Sequence, residues 1–293
     1  MAGRFAPSPT SDLHLGNLRT ALVAWLMARS TGRDFLLRFE DLDTQRVTAA
    51  GAVAGRQIAD LQALGLDFDG DVAWQSRRLP LYTRAVAELD TYECFCTRRE
   101  ITEAASAPHK GGHRPYPGTC LRLSEADRAA RREIRPPAIR VRAEASSQTI
   151  TDAWAGEVTG VVDDFVVVRN DGVPAYNLAV VVDDLEQGVD QVVRGDDLLA
   201  SSPRQAWLTR RLGGAVPDYA HVPLVLNASR RRLAKRDGAV TLTDLAGLGV
   251  TPGQVLTRMA HSLNLAADET VSVRLLLDRF DPAGLPRTPW VLE

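Results

Sequence analysis

The chain has 293 residues, 45% of them apolar and 25% charged, with a net charge of −2. That balance is ordinary for a soluble globular protein of one large domain or two smaller ones, and it excludes a uniformly basic surface that coats nucleic acid. The longest early apolar run, residues 21–28, is far too short to cross a bilayer.

Residues 3–6 form a short strand. Leu18, Ala21, Leu22, Trp25 and Leu26 follow at helical spacing, and Gly32 supplies a stop. Residues 34–41, DFLLRFED, read as a second buried strand, and Ala54, Ile58, Leu61 and Leu64 mark a helix that Gly65 ends. This alternation predicts an α/β fold, a parallel doubly wound sheet of Rossmann type with crossover helices. A further helix carries Tyr82, Ala85, Val86 and Leu89 on one face and leads into Cys-Phe-Cys at 94–96. Residues 97–135 change texture: little apolar periodicity, and many Arg, Pro and Gly. They read as an inserted subdomain that needs more than burial to hold its shape. Strand-type segments return at 138–143, 164–170 and 173–184, the last two joined by a turn at Asn170-Asp171-Gly172. Sheet-type pattern continues at 191–199, a helix runs through 206–212 to Gly213, and 221–227 is a strand. A basic loop, SRRRLAKR (229–236), comes next, and the last fifty or so residues look helical. The expected organisation is 1–93, first half of the catalytic sheet domain; 94–137, the insert; 138–240, a β-rich connective segment and the second half with the basic loop; 241–293, a C-terminal helical region.

The amino end shows no basic segment leading into a cleavable apolar core, and Cys94, Cys96 and Cys120 are an odd count. Together these predict a reducing, cytoplasmic setting, with the thiols either binding metal or idle. Two basic clusters stand out, 127–135 and 229–236. Each is either a solvated face or a local contact for phosphate.

The stretch RFAPSPTSDLHLGNLRTAL (4–22) bends between strand and helix. A helix N-terminus offers free N–H groups and a partial positive charge, so a polyphosphate settles there if nothing obstructs it. Gly16 leaves the backbone open, and His14 and Asn17 can donate to phosphate oxygens. The same junction also reads as a plain structural turn. Lys235, in the basic loop after a late strand, stands where ligands collect in a doubly wound sheet.

FAPSPTSDLHLGN resembles the first signature of the class I aminoacyl-tRNA synthetases in their glutamate and glutamine variant, and RRLAKR (231–236) resembles their lysine-containing signature. YNLAVVVDD and VVRGDDLL are similar to glutamyl-synthetase segments, so the resemblance runs in order through residues 4–240. Only 58 residues follow Lys235. A catalytic half with no anticodon-binding domain, together with CFC…YPGTC, resembles the glutamyl-Q tRNA(Asp) synthetases. That resemblance implies ATP with Mg2+, L-glutamate, glutamyl-adenylate, and transfer to the queuosine base of tRNA(Asp), by a monomer with no membrane contact.

By the same resemblance His14, Gly16, Asn17, Arg232 and Lys235 bind ATP, with Lys235 and His14 catalytic. Arg4, Ser8, Glu40, Tyr176 and Arg194 bind glutamate: the arginines as carboxylate forks, Glu40 as the ammonium partner. Buried Arg and Glu at strand ends equally form internal ion pairs. Cys94, Cys96, Tyr116 and Cys120 would hold one structural Zn2+, with His109 and His113 as alternative ligands. Arg128, Arg131, Arg132 and Arg135 form a phosphate-contacting set. Arg232 and Ala234 depart from the usual lysine and serine of the second signature, and Asp12 sets a negative charge beside an anion site. Two other readings remain: a shortened glutamyl-tRNA synthetase charging a tRNA 3′ end, and a non-catalytic amino-acid- or nucleotide-binding paralogue.

Overall fold

The computed structural model describes residues 1–292 except 45–46, 48, 98, 102–115, 145, 234–239 and 267–269. Its first half follows the predicted alternation: β1 (Ala2–Phe5), α1 (Leu15–Ser30), β2 (Asp34–Phe39), α2 (Ala50–Ala63), the short β3 (Ala73–Trp74) and α3 (Leu79–Ala87). Gly32 and Gly65 end α1 and α2 with φ of +68° and +79°, a left-handed turn that a side chain rarely adopts. After α3 come β4 (Thr91–Cys94), the exposed α4 (Glu125–Arg132) and β5 (Ala138–Val141), then β6 (Ser146–Asp152), β7 (Gly156–Val162) and β8 (Val166–Val168). The second half continues with α5 (Tyr176–Glu186), β9 (Val189–Gly195), α6 (Ser202–Arg211), β10 (Asp218–Val222) and β11 (Val225–Leu226). It closes with α7 (Leu242–Gly247), α8 (Pro252–Ser262), α9 (Val273–Asp278) and β12 (Trp290–Val291).

The central sheet has seven strands in the order β3-β2-β1-β9-β10-β6-β7. All neighbours are parallel except the β6–β7 hairpin. From β1 the chain winds outward to β2 and β3, then returns to the other side of β1 as β9. The order therefore reverses between β1 and β9, the place where a doubly wound sheet opens a crevice beyond its strand ends. A separate antiparallel sheet, β4-β5-β8, lies outside the main one.

The main core explains why α1 carries so many apolar residues. Leu18, Leu22 and Leu26 are fully buried, as are Phe39 on β2, Met259 on α8 and Leu276 on α9, all in one cluster. A helix packed on a sheet on one side and on other helices on the other is apolar nearly all round.

Five segments differ from the sequence expectation. Residues 173–184 are not a strand: Asn170-Asp171-Gly172 does turn the chain, with Arg169 N–H donating to Val173 O at 2.8 Å, but only Pro174 pairs back before α5 begins. Three consecutive valines favour a strand locally, yet a short continuous apolar run fits a buried helix equally, and packing decides. Leu178, Ala179, Val181 and Val182 are all buried in the cluster with Tyr82 and Leu208. The β6–β7 hairpin was not anticipated, because its strands hold mostly Ser, Thr, Gln and Gly, with Ile150 the buried apolar residue of β6. Residues 221–227 break at Pro223, which has no N–H for a ladder, into β10 and β11. Residues 191–199 leave the sheet at Gly195 and continue as a helical turn over Asp196–Ser201. The last fifty residues also contain a strand: β12 runs parallel to β11, with Trp290 N–H donating to Leu224 O at 3.1 Å.

Candidate active site

The crevice at the β1/β9 reversal holds a cavity of about 620 Å3, lined by Arg4, Ser8, His14, Gly16, Asn17, Glu40, Tyr176, Arg194 and Arg232. Residues scattered over more than two hundred positions meet here because β1, β2 and β9 all end at this edge. Lys235 and Ala234 lie outside the described residues.

One wall is the start of α1. His14 is its N-cap: Nδ1 accepts from Asn17 N–H at 3.2 Å, and Asn17 Oδ1 accepts from His14 N–H at 3.3 Å. Because Nδ1 accepts, the neutral ring carries its proton on Nε2. Burial, then the charge of Arg232, holds the His14 pKa below its ordinary value, which favours the neutral form. Leu15 N–H is taken by Val240 O at 2.8 Å, so among the described residues the Gly16 N–H remains for a ligand. A Cβ at Gly16 would sit 3.0 Å from the His14 ring and 3.4 Å from Val225, so the glycine keeps this wall open. Asp12 points its charge at Arg56, Oδ1 to Nε 2.7 Å, which accounts for an acid near an anion site. Arg232 pairs with Asp197 across the cavity mouth, Nη1 to Oδ2 2.7 Å.

The other wall is a buried charge network. Arg4 Nε donates to Asp184 Oδ1 at 3.4 Å and its Nη1 to Val193 O at 3.2 Å. Arg38, fully buried on β2, meets Asp184 at 2.8 Å, Gln187 at 2.8 Å and Asp183 at 3.6 Å. Asp183 also accepts from Arg78 at 2.6 Å, Gln75 at 2.8 Å and Tyr82 at 2.9 Å. Arg4 is thus part of an internal ion pair, one of its two sequence alternatives, and it also lines the cavity. Glu40 stands apart, 3.9 Å from Arg38. Burial pushes its carboxyl up to about 7, against the opposing pull of Arg38 and Arg4. Ser8 is exposed and its Oγ donates to the Glu40 carbonyl at 3.0 Å.

Arg194 is the most thoroughly held of the lining residues. Its Nε donates to His221 Nε2 at 3.0 Å, Nη1 to the Tyr176 hydroxyl at 3.4 Å and Nη2 to Ser202 Oγ at 2.9 Å. Sequence reasoning missed Arg38, Asp183, Ser202, His221 and Asp152. Asp183 and Asp184 were in view within YNLAVVVDD. As a strand that segment sends neighbouring side chains to opposite faces, whereas on α5 both acids reach the charge network. His221 and Asp152 belong to no local motif.

The insert brings its sulfurs together. The Sγ atoms of Cys94, Cys96 and Cys120 lie within 4.8 Å of one another, and Cys96 and Cys120 are 3.5 Å apart. Tetrahedral zinc with bonds of about 2.3 Å needs sulfur separations near this range. The Tyr116 oxygen is 3.4 Å from Cys94 Sγ and 3.7 Å from Cys96 Sγ, so four donor atoms converge. Cys120 N–H donates to that oxygen at 2.8 Å, and the Arg140 guanidinium lies 3.7 Å from the Tyr116 ring. The backbone N–H favours the phenolate that a metal requires, against burial and the Cys94 sulfur, which push the Tyr116 hydroxyl's pKa up; the convergence of the four donor atoms is what fits zinc. His109 and His113 lie outside the described residues.

Of the expected phosphate-contacting set, Arg132 is engaged by Glu93 at 2.7 Å and Glu125 at 2.6 Å, so it anchors α4 to β4. Arg131 is exposed, and Arg128 and Arg135 are half-buried. No helix among the described residues is long and apolar enough to cross a membrane.

A parallel sheet with a crevice at its reversal, a His-x-Gly-Asn helix start and an Arg/Glu/Tyr/Arg wall define a class I synthetase catalytic domain. The family model of class I (E and Q) tRNA synthetase catalytic domains matches residues 1–263. The chain belongs to that family, and its relatives place it in the glutamyl-Q tRNA(Asp) synthetase branch. The glutamyl-Q tRNA(Asp) synthetase of Nocardia farcinica is 60% identical over 99% of this chain and 93% of its own length. That of Deinococcus radiodurans is 49% identical over 90% of this chain and 89% of its own. Among solved structures, a glutamate tRNA ligase from Elizabethkingia meningosepticum, in complex with its amino acid, superposes with a TM-score of 0.83 at 27% identity. The match covers 99% of this chain but 66% of that ligase.

Proposed function

We propose that the chain activates L-glutamate with ATP and transfers it to the queuosine base of tRNA(Asp). One observation carries this reading: Arg4, Glu40, Tyr176 and Arg194 meet the uncapped Gly16 N–H of α1 in a single cavity, in a chain whose relatives bear that activity in their names. Glutamate has two carboxylates and an ammonium. The arginines fit the former, Glu40 the latter, and the Tyr176 hydroxyl adds one further hydrogen-bonding group.

In the first step a glutamate α-carboxylate oxygen attacks the α-phosphorus of ATP, and pyrophosphate leaves. Charge moves among phosphate oxygens, so the protein's task is positioning and electrostatic stabilisation, with no protein nucleophile. His14 Nε2–H, the Gly16 N–H and the Asn17 amide donate to the phosphates. Arg232 and Lys235 supply positive charge from the loop. Mg2+, when bound, neutralises phosphate charge. In the second step a hydroxyl of the cyclopentenediol ring of queuosine attacks the activated carbonyl, and AMP leaves. The three cysteines and Tyr116 would hold a structural zinc that folds the RNA-facing insert, with no open position for chemistry. A monomer working in the cytoplasm accords with this reading.

The test is ATP–pyrophosphate exchange with each amino acid in the absence of tRNA, followed by mapping of labelled glutamate on tRNA(Asp). Exchange with glutamate alone, and label on an anticodon-loop nucleoside, are expected. Label on the terminal ribose would instead make the chain a shortened glutamyl-tRNA synthetase. Absence of exchange with every amino acid would make it a non-catalytic binding paralogue.

A further inference from the structure

We propose that His221, oriented by Asp152, is a positioning residue that sets the Arg194 guanidinium to receive a carboxylate of the amino-acid substrate; this rests on the glutamate-activation reading above. The three side chains step across three adjacent strands toward the cavity: Asp152 ends β6, His221 lies on β10 and Arg194 on β9. His221 and Arg194 are register partners, and β10 pairs with β6 through Tyr219 and Asp152. All are buried, Asp152 at 3%, His221 at 2%, Arg194 at 6% and Ser202 at 0% exposure.

The hydrogen bonds fix the state of each group. An arginine N–H only donates, so His221 Nε2 must accept from Arg194 Nε. The ring proton therefore sits on Nδ1 and is donated to Asp152 Oδ2 at 2.6 Å. Ser202 Oγ accepts from Arg194 Nη2 at 2.9 Å and lies 3.2 Å from the same Nε2, which closes a triangle. Asp152 is itself immobile. Its Oδ1 accepts from Trp154 N–H and Ala155 N–H, both at 2.9 Å, in the β6–β7 turn, and Oδ2 also takes His221 N–H at 3.1 Å.

The donor count then points to the ligand. A guanidinium has five N–H groups. Nε uses its one on His221, and Nη1 and Nη2 each use one, on Tyr176 and Ser202. One N–H remains on each terminal nitrogen, a pair that matches the two oxygens of a carboxylate. Rotation of the guanidinium would break this pairing, and the His221 acceptor is what opposes rotation about the Nε end. A protonated His221 would present a like charge and no acceptor, so Asp152 matters by keeping the Nδ1–H tautomer.

The decisive comparison is His221→Asn against His221→Gln in tRNA-free ATP–pyrophosphate exchange. Asparagine places its amide near Nδ1, in reach of Asp152 and short of Arg194; glutamine places its amide near Nε2. The expected result is a KM for glutamate raised about tenfold or more in His221→Asn, with the KM for ATP unchanged, and recovery of most of that loss in His221→Gln. Ser202→Ala, which removes the hydroxyl shared by Arg194 Nη2 and His221 Nε2, should raise the glutamate KM in the same selective way and serves if the His221 variants fail to fold. Equal glutamate KM in both His221 variants, or parallel rises for glutamate and ATP, would overturn the positioning role while leaving activation intact. An unmodified chain that exchanges with no amino acid would overturn the activation reading, and the positioning role with it.

Discussion

Glu40 carries the sharpest conflict at the scale of single residues. It is half-buried beside two arginines, yet desolvation outweighs their attraction and pushes its carboxyl up to about 7. Ammonium binding needs the ionised form. As pH falls from 8 to 6 the ionised fraction drops about tenfold, so the glutamate KM in exchange should rise by about that factor. A flat KM over that range would show that Glu40 does not hold the ammonium. The same shift acts in the opposite sense on folding. The unfolded carboxyl titrates near 4.5 and the folded one near 7, so between these values the folded chain binds more protons. Its contribution to stability is therefore full below 4.5 and declines as pH rises through 7. That Arg4, Glu40, Tyr176 and Arg194 belong together was legible from the residue types and their resemblance. Their partners were not: Asp184 is 180 positions from Arg4, and His221 is 69 from Asp152. No sequence period joins such pairs; only the strand order does.

At the scale of elements, segments with helical spacing and a glycine stop were legible, and those without were not. α1 and α2 announced themselves by spacing and by a left-handed glycine just past the C-terminal end of each. α5 did not, because its valines satisfy a strand locally and only burial against Tyr82 and Leu208 selects the helix. The insert was recognised by its lack of apolar pattern, and its small core of Tyr92, Phe95, Tyr116 and two cysteines is thin. Such a unit leans on its metal for folding. Purified chain should contain about one zinc, and Cys120→Ser should lower that stoichiometry and the stability of the insert. Exchange without tRNA should survive, because the donor set lies outside the cavity, whereas transfer to tRNA(Asp) should fall. Metal analysis beside the two assays checks this, and a zinc-free chain that transfers normally would remove the metal from the account.

For the molecule as a whole, RNA contact must come from local charge, since the net charge is −2. Arg132 is committed to Glu93 and Glu125, so Arg131 on the exposed face of α4 is the better phosphate partner. Arg131→Glu should weaken tRNA(Asp) binding and lower the salt slope by about one, with exchange in the absence of tRNA unchanged. A filter-binding series over salt reads both quantities; an unaltered slope would move the RNA face elsewhere. The sequence by itself determined the α/β class and the helix start at His14–Asn17, because each depends on neighbours in the chain, and it supplied the residue types that line the pocket. The tertiary structure alone decided which way α5 folds, how Asp152, His221 and Arg194 align across three strands, and where Glu40 sits relative to the charges that shift it. Those depend on strand order and burial, and both arise only when distant segments share one core.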